Sequence, residues 1–287
     1  MSAQDAIGIV AIIYAASNLF SMGLELEFHE TMRQLRSAKL VLLALVWSWV
    51  LCPAVALLIN HILPLSPGYA TGLIIFSLAP TAPALPMFIR RSGADMSFAA
   101  ALMPLAVVGT VVMMPLLALY LIPGLEVSPW AIAQPLLLTV LLPLVLAVVF
   151  KLRAPAAAGK LFPIAKKIAG ITTLLLLVSC VGLYWKPLLG AIGHWGPLAQ
   201  ILFILITAAV AYLIAPGYQP AQRKAMSLGI CTRNGGAMMV AITAFPTVDP
   251  ELLLMILISI PVPIIVWSLI ARFYASRAGA TSIESAA

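Results

Sequence analysis

Long apolar runs separated by short polar connections dominate the chain. A transmembrane helix needs about 20 predominantly apolar residues to cross about 30 Å of hydrocarbon. Nine runs meet this length, and proline, glycine and charged residues mark their ends. We predict nine transmembrane helices, at residues 6–24, 38–61, 69–89, 96–122, 131–150, 163–185, 196–216, 225–246 and 251–274.

Lysine and arginine alternate between the connections. They follow the first, third, fifth, seventh and ninth runs, whereas the other connections hold only Lys186. Basic connections stay in the cytoplasm according to the positive-inside rule. The pattern therefore predicts an N-terminus outside the cell and a C-terminus inside it, which an odd number of crossings requires.

The composition restricts the class of protein further. Of 287 residues, 63% are hydrophobic and 9% are charged, whereas soluble domains carry roughly 25% charged residues. This excludes a soluble enzyme, a nucleic-acid-binding protein and a disordered scaffold. The net charge of +7 is therefore interpreted as a topology signal. Cys52, Cys180 and Cys231 are too far apart to form a zinc or redox motif and are expected to be buried packing residues.

Two of the nine predicted helices are interrupted, at 80-PTAPALP-86 and at 229-GICTRNGG-236. Pro80, Pro83 and Pro86 each remove a backbone donor, and glycine weakens the second run. The broken helices are the third and the eighth, so they run in opposite directions. We predict an all-α polytopic membrane protein built from inverted repeats.

The interruptions are also the candidate binding site, because irregular backbone within a membrane lines a cavity or is buried in protein. The first interruption could alternatively be a simple kink. The second contains Arg233, and a charge at this depth is rarely without function. The candidate substrate-binding residues are Pro80, Thr81, Pro83, Pro86, Thr232, Arg233, Asn234, Gly235 and Gly236.

Arg233 has two interpretations that can hold together. Its permanent charge and planar guanidinium suit a carboxylate, sulfonate or phosphate. Alternatively, it donates to carbonyls freed near Pro80 and Pro83 and ties the interruptions together. Other ionisable groups lie at helix ends, where Glu25 is expected to neutralise an arginine such as Arg33. Motifs of hydrolases, metalloproteases and P-loop enzymes are absent, so we do not expect an enzyme.

Over about residues 8–274 the sequence resembles the bile acid:sodium symporters and their bacterial relatives. The matching features are 22-MGLEL-26, Pro53, Ala79-Pro80, Asp95 and 233-RNGG-236, where the family has Gln-Asn-Ser-Gly. The resemblance implies one transporter domain over residues 1–287, in which the two broken helices cross. It also implies a panel domain (about 6–61 and parts of 131–216) and a core domain (about 69–122 and parts of 196–274).

The resemblance further implies a multi-pass protein of the bacterial inner membrane that moves organic anions by alternating access, coupled to sodium. The sodium-site positions correspond here to Ser48, Leu85, Pro86, Ala99, Met103, Gly229 and Arg233. Only Ser48 offers a side-chain oxygen, and hard cations need several oxygen ligands. We therefore predict no metal, no cofactor and no dependence on sodium.

The expected partners are a small organic anion and membrane lipid, with no nucleic acid, and the oligomeric state is left open. Two other functions on the same scaffold remain open at this point. One is a sensor or assembly protein that binds a ligand without transport. The other is an anion channel, which would need a continuous water path through the interruptions.

Overall fold

The computed structural model describes residues 3–284, with side chains placed for residues 8–191 and 193–277. Over this part of the chain the structure contains helices and no strands. The α-helices are α1 (Ala3–Glu25), α2 (Phe28–Leu35), α3 (Ala38–Val46), α4 (Cys52–Ile62), α5 (Pro67–Leu78), α6 (Leu85–Ser92), α7 (Met96–Leu121), α8 (Pro129–Leu136), α9 (Leu142–Arg153), α10 (Pro155–Gly190), α11 (Trp195–Leu213), α12 (Pro220–Cys231), α13 (Gly235–Ile242), α14 (Pro250–Ile258) and α15 (Pro261–Glu284).

Among the described residues, seven helical segments are long and apolar enough to cross a membrane. They are Gly8–Glu25, Ala38–Ile62, Met96–Leu121, Pro129–Arg153, Pro155–Gly190, Trp195–Leu213 and Pro250–Arg277. Single π-helical turns, Trp47–Leu51 and Leu137–Leu141, join α3 to α4 and α8 to α9. The prediction of an all-α polytopic membrane protein is confirmed.

Each of the two interrupted runs forms a pair of short helices. Residues 79–84 separate α5 from α6, and residues 232–234 separate α12 from α13. The first pair is divided where Ala79 turns to an extended backbone next to Pro80, because the residue before a proline avoids the helical region. In the second pair the helical conformation resumes after Asn234, whose side chain accepts hydrogen bonds from the backbone N–H groups of Gly236 and Ala237. Asn234 therefore acts as the N-cap of α13.

The helices pack in two groups. One group contains α1, α9 and α10, which contact one another. In the other group, α5 packs against α4, α7 and α14, while α12 packs against α6, α7 and α11. The groups meet where α1 contacts α13. A Cβ atom at Gly236 would lie 2.4 Å from the ring of Tyr14 in α1, so this close approach requires glycine.

Candidate functional site

The two interruptions contact each other through backbone and side-chain hydrogen bonds. The backbone N–H of Asn234 donates to the carbonyl of Pro80 at 2.8 Å. The Thr81 hydroxyl donates to the carbonyl of Gly229 at 2.9 Å. Residues 79–84 and 232–234 therefore form one structural unit, which we call the crossover.

Arg233 lies inside the crossover and is 1% exposed. Its Nη1 donates to the carbonyl oxygen of Ala79 at 2.8 Å, and its Nη2 contacts Cys52 Sγ at 2.8 Å. Nε has no hydrogen-bond partner among the described residues. Ala79 is the C-cap of α5, so the guanidinium also meets the negative end of that helix dipole.

Other carbonyls at the ends of the interrupted helices accept hydrogen bonds from protein donors. The Leu78 carbonyl accepts from the Thr110 hydroxyl at 3.2 Å. The Cys231 carbonyl accepts from Trp267 Nε1 at 3.2 Å. Thr232 donates its hydroxyl back to its own helix, at the Leu228 carbonyl. Backbone that would otherwise be costly in hydrocarbon is thus satisfied within the fold.

The positions that correspond to sodium ligands in the family present mostly carbon atoms. Leu85 is fully buried, and Pro86, Ala99 and Met103 line a cavity beside the crossover. At Gly229 a Cβ atom would lie 2.7 Å from Leu102 Cδ1. Leu102 therefore fills the space that a larger side chain at position 229 would need.

The cavity has a volume of about 300 Å³ and lies between α1, α2, α6 and α7. Apolar side chains such as Met22, Leu26 and Met96 form much of its wall. Glu25, Glu27, Glu30 and Arg90 also line it, at the end of the molecule where α1 and α6 end. Its residues thus combine an apolar wall with charged groups at one end.

Each of the three glutamates is paired with a cation. Glu25 Oε1 lies 3.5 Å from both Arg90 Nη1 and Lys166 Nζ, and it therefore links α1 to α6 and α10. Glu27 Oε1 lies 2.9 Å from Lys151 Nζ. These pairs neutralise the carboxylates, so the charged end of the cavity does not carry an uncompensated negative charge.

Glu25 pairs with an arginine as expected, but that arginine is Arg90, and Arg33 instead contacts Glu30 at 2.7 Å. The two residues are one helical turn apart on α2, which favours this local pair. Hydrogen bonds from Arg33 and Gln34 hold the pKa of the Glu30 carboxyl below its usual value. Glu30 therefore stays ionised at neutral pH.

The structure brings most of the predicted site residues together in or beside the crossover. They differ in how deeply they are buried and in whether they line the cavity. Thr81, Thr232, Arg233 and Asn234 are buried. Gly235 packs close to the backbone of α14, where an added Cβ would lie 3.3 Å from the Ser259 carbonyl. Of the nine predicted residues, Pro86 is the one that lines the cavity described above. Pro83 is half-buried.

Two features of the site were not predicted from the sequence. One is the contact between Arg233 and Cys52, which are 181 residues apart. The other is the position of the cavity between α1, α2, α6 and α7, because the sequence predicted a cavity only at the interruptions themselves. The expectation that all three cysteines are buried is confirmed, although Cys52 also has a polar contact.

The family of the chain follows from its similarity to known proteins. The Sodium Bile acid symporter family matches residues 12–190, which is more than half of the chain. The chain belongs to this family. This match confirms the resemblance noted from the sequence. Members of the family are membrane transporters. The match includes the first interruption, whereas the second lies beyond it, so the pairing of the two rests on the hydrogen bonds above. No curated protein matches the chain.

Proposed function

We propose that the protein is a secondary transporter that moves a small organic anion across the bacterial inner membrane by alternating access, without sodium coupling. The observation that carries this proposal is the buried guanidinium of Arg233 at the crossover, together with a cavity with an apolar wall whose lining includes Pro86, two residues after the first interruption. The family supplies the general activity, and the residues of this chain supply the anion preference and the absence of coupling.

Nine crossings fit the helices of the structure. The seven long segments account for seven crossings, and the pairs α5–α6 and α12–α13 supply one each. With basic connections on the cytoplasmic side, the N-terminus lies outside and the C-terminus inside. The two broken helices then run in opposite directions, which supports a fold of inverted repeats.

The two packing groups suit the two moving bodies of such a transporter. We assign α1, α9 and α10 to the panel domain, and the group around the crossover, which includes α4, to the core domain. This differs from the panel over residues 6–61 that the resemblance implied, because α4 packs against α5. The cavity lies between α1 of the panel and α6 and α7 of the core. It is at the basic end of the molecule, so the structure corresponds to an inward-facing state in this proposal.

A sodium ion does not fit the crossover. Sodium needs several oxygen ligands, and the corresponding side chains at Pro86, Ala99 and Met103 have none to offer. The carbonyls of Ala79 and Gly229, which could replace them, already accept hydrogen bonds from Arg233 and Thr81. We infer that a covalently attached cation takes the place of bound sodium.

The fixed charge also explains a preference for anions. Arg233 remains protonated at any working pH, and the four described ion pairs do not include it. A positive charge without an acidic partner among the described residues raises the electrostatic potential around the crossover. A carboxylate, sulfonate or phosphate on an apolar body would match both the charge and the wall of the cavity.

A binding screen followed by flux measurement tests the proposal. The purified protein is screened by thermal shift against carboxylates, sulfonates and sulfate esters, each paired with its uncharged analogue. We expect an anion to stabilise the protein and its uncharged analogue to have no effect. The stabilising anion is then measured for uptake into proteoliposomes. Binding without uptake would contradict transport, and equal binding of charged and uncharged compounds would contradict anion selectivity.

A further inference from the structure

A second groove lies on the outer surface of the molecule, between α11, α12 and α15. It has a volume of about 340 Å³, which is within the range of about 300–1,000 Å³ that is typical of ligand sites. Leu205, Leu213 and Phe273 on its sides are exposed, as expected for side chains that contact lipid. The groove is separate from the crossover and from the cavity described above.

Lys224 lines this groove and is only 8% exposed. Its Nζ donates to the carbonyls of Tyr274 at 3.1 Å and Ser92 at 3.4 Å. An ammonium group has three N–H donors, so two acceptors among the described residues leave one donor for a ligand. A buried ammonium within a largely apolar groove favours an anion that can supply the missing acceptor.

A second cation and a pair of aromatic rings complete the groove. Arg277 lines it with its guanidinium 4.6 Å from the ring centroid of Phe273. Tyr212 and Tyr274 stack with their ring centroids 5.3 Å apart. Lys224 and Arg277 therefore lie at the same end of the groove. At this end α12 begins, and the apolar segment Pro250–Arg277 ends. This is the end of the molecule at which most lysines and arginines are found.

We propose that this groove binds one anionic phospholipid. Its phosphate contacts Lys224 and Arg277, and an acyl chain lies along the apolar sides formed by α11 and α15. Basic pockets between transmembrane helices are typical sites for anionic lipid headgroups. Because the lipid would contact α11, α12 and α15 together, it would stabilise α12 and hence the position of the crossover.

Native mass spectrometry of the full-length protein tests the proposal. The protein is released from detergent after incubation with equal amounts of phosphatidylglycerol and phosphatidylcholine that have the same acyl chains. We expect one phosphatidylglycerol to be retained in preference to phosphatidylcholine. Arg277→Gln should weaken phosphatidylglycerol retention about fivefold to tenfold, as expected for the loss of one cation close to the headgroup.

Two pairs of variants separate a site from general attraction. Arg272→Gln removes an exposed charge from the same helix outside the groove, and it should leave retention unchanged. Ala209→Trp fills the groove without changing charge, whereas Ala157→Trp adds the same bulk at an exposed position of α10. Only the first of these two should abolish the adduct.

Three results would overturn the proposal. The first is equal retention of the two lipids by the wild-type protein. The second is an equal loss in Arg272→Gln and Arg277→Gln, which would indicate unspecific attraction. The third is a dimer without bound lipid that Ala209→Trp dissociates, because the groove would then be an interface between copies of the chain. None of these readouts depends on transport.

Discussion

Arg233 places a buried positive charge at the contact between the two interruptions. An unpaired charge within a membrane is costly, and the structure reduces that cost with two acceptors and the C-terminal end of α5. The guanidinium thereby ties the two interruptions together. Its positive charge remains uncompensated by any described carboxylate at the crossover. The structural contact and the proposed anion preference therefore depend on the same group.

Two substitutions separate these roles of Arg233. Arg233→Gln removes the charge and leaves a shorter, neutral amide at this position, so anion affinity should fall about tenfold or more. Arg233→Lys keeps the charge, so it should retain most of that affinity. Thermal-shift titration with the anion from the screen measures both. Equal affinity of Arg233→Gln and the wild type would reduce Arg233 to a structural role.

The sequence predicted the position of Arg233 within a broken helix and, as one interpretation, its donation to a carbonyl near Pro80, but not its contact with Cys52. The contact with Cys52 depends on how the second crossing rotates about its axis, and a uniformly apolar run contains no periodic signal for that rotation. Lys224 shows the same limit. It was counted among the connection charges, whereas the structure buries it against the carbonyls of Ser92 and Tyr274.

At the scale of elements, proline and glycine patterns predicted where helices end better than apolar length did. The interruption at 79–84 overlaps the predicted one at 80–86, and the interruption at 232–234 falls within the predicted one at 229–236. The prediction of 163–185 began too late, because α10 begins at Pro155, whereas its predicted end lies next to a kink at Tyr184, where the backbone leaves the helical conformation before the helix continues to Gly190. Its additional residues include alanines and Lys160, which favour helix without being apolar throughout. Apolar length reports the membrane-embedded part of a helix rather than its ends.

The contact of α13 with α1 gives a prediction at the element scale. Gly236→Ala would place a methyl group about 2.4 Å from the Tyr14 ring, and overpacking of this kind costs about 1–3 kcal/mol. We expect a lower melting temperature in detergent. Gly170→Ala is the control, since nothing lies within 4 Å of the added methyl group there. Equal melting temperatures of both variants would show that α1 and α13 are not closely packed.

The cavity beside the crossover gives a second prediction at this scale. Ala100 lines the cavity on α7, whereas its neighbour Ala101 is fully buried. All three native cysteines are buried, so they provide a low background. Ala100→Cys should react with a charged thiol reagent supplied to the cytoplasmic face, and Ala101→Cys should not. Reaction of Ala100→Cys from the opposite face alone would contradict the proposed orientation.

At the scale of the whole molecule, we propose that Arg233 supplies the positive charge that a bound cation would otherwise bring to the crossover. The family name refers to sodium, whereas the crossover of this chain holds a guanidinium whose N–H groups contact Ala79 and Cys52. A bound ion can leave with each transport cycle, and an arginine cannot. A carrier with a fixed cation therefore cannot use a sodium gradient at this place to concentrate its substrate.

Uptake into proteoliposomes tests this central claim most directly. The stabilising anion from the screen is supplied outside vesicles that contain the purified protein, with an inward sodium gradient or with potassium replacing sodium on both sides. The account predicts equal initial rates of uptake under the two conditions and no accumulation driven by the sodium gradient. Uptake that requires sodium would contradict it.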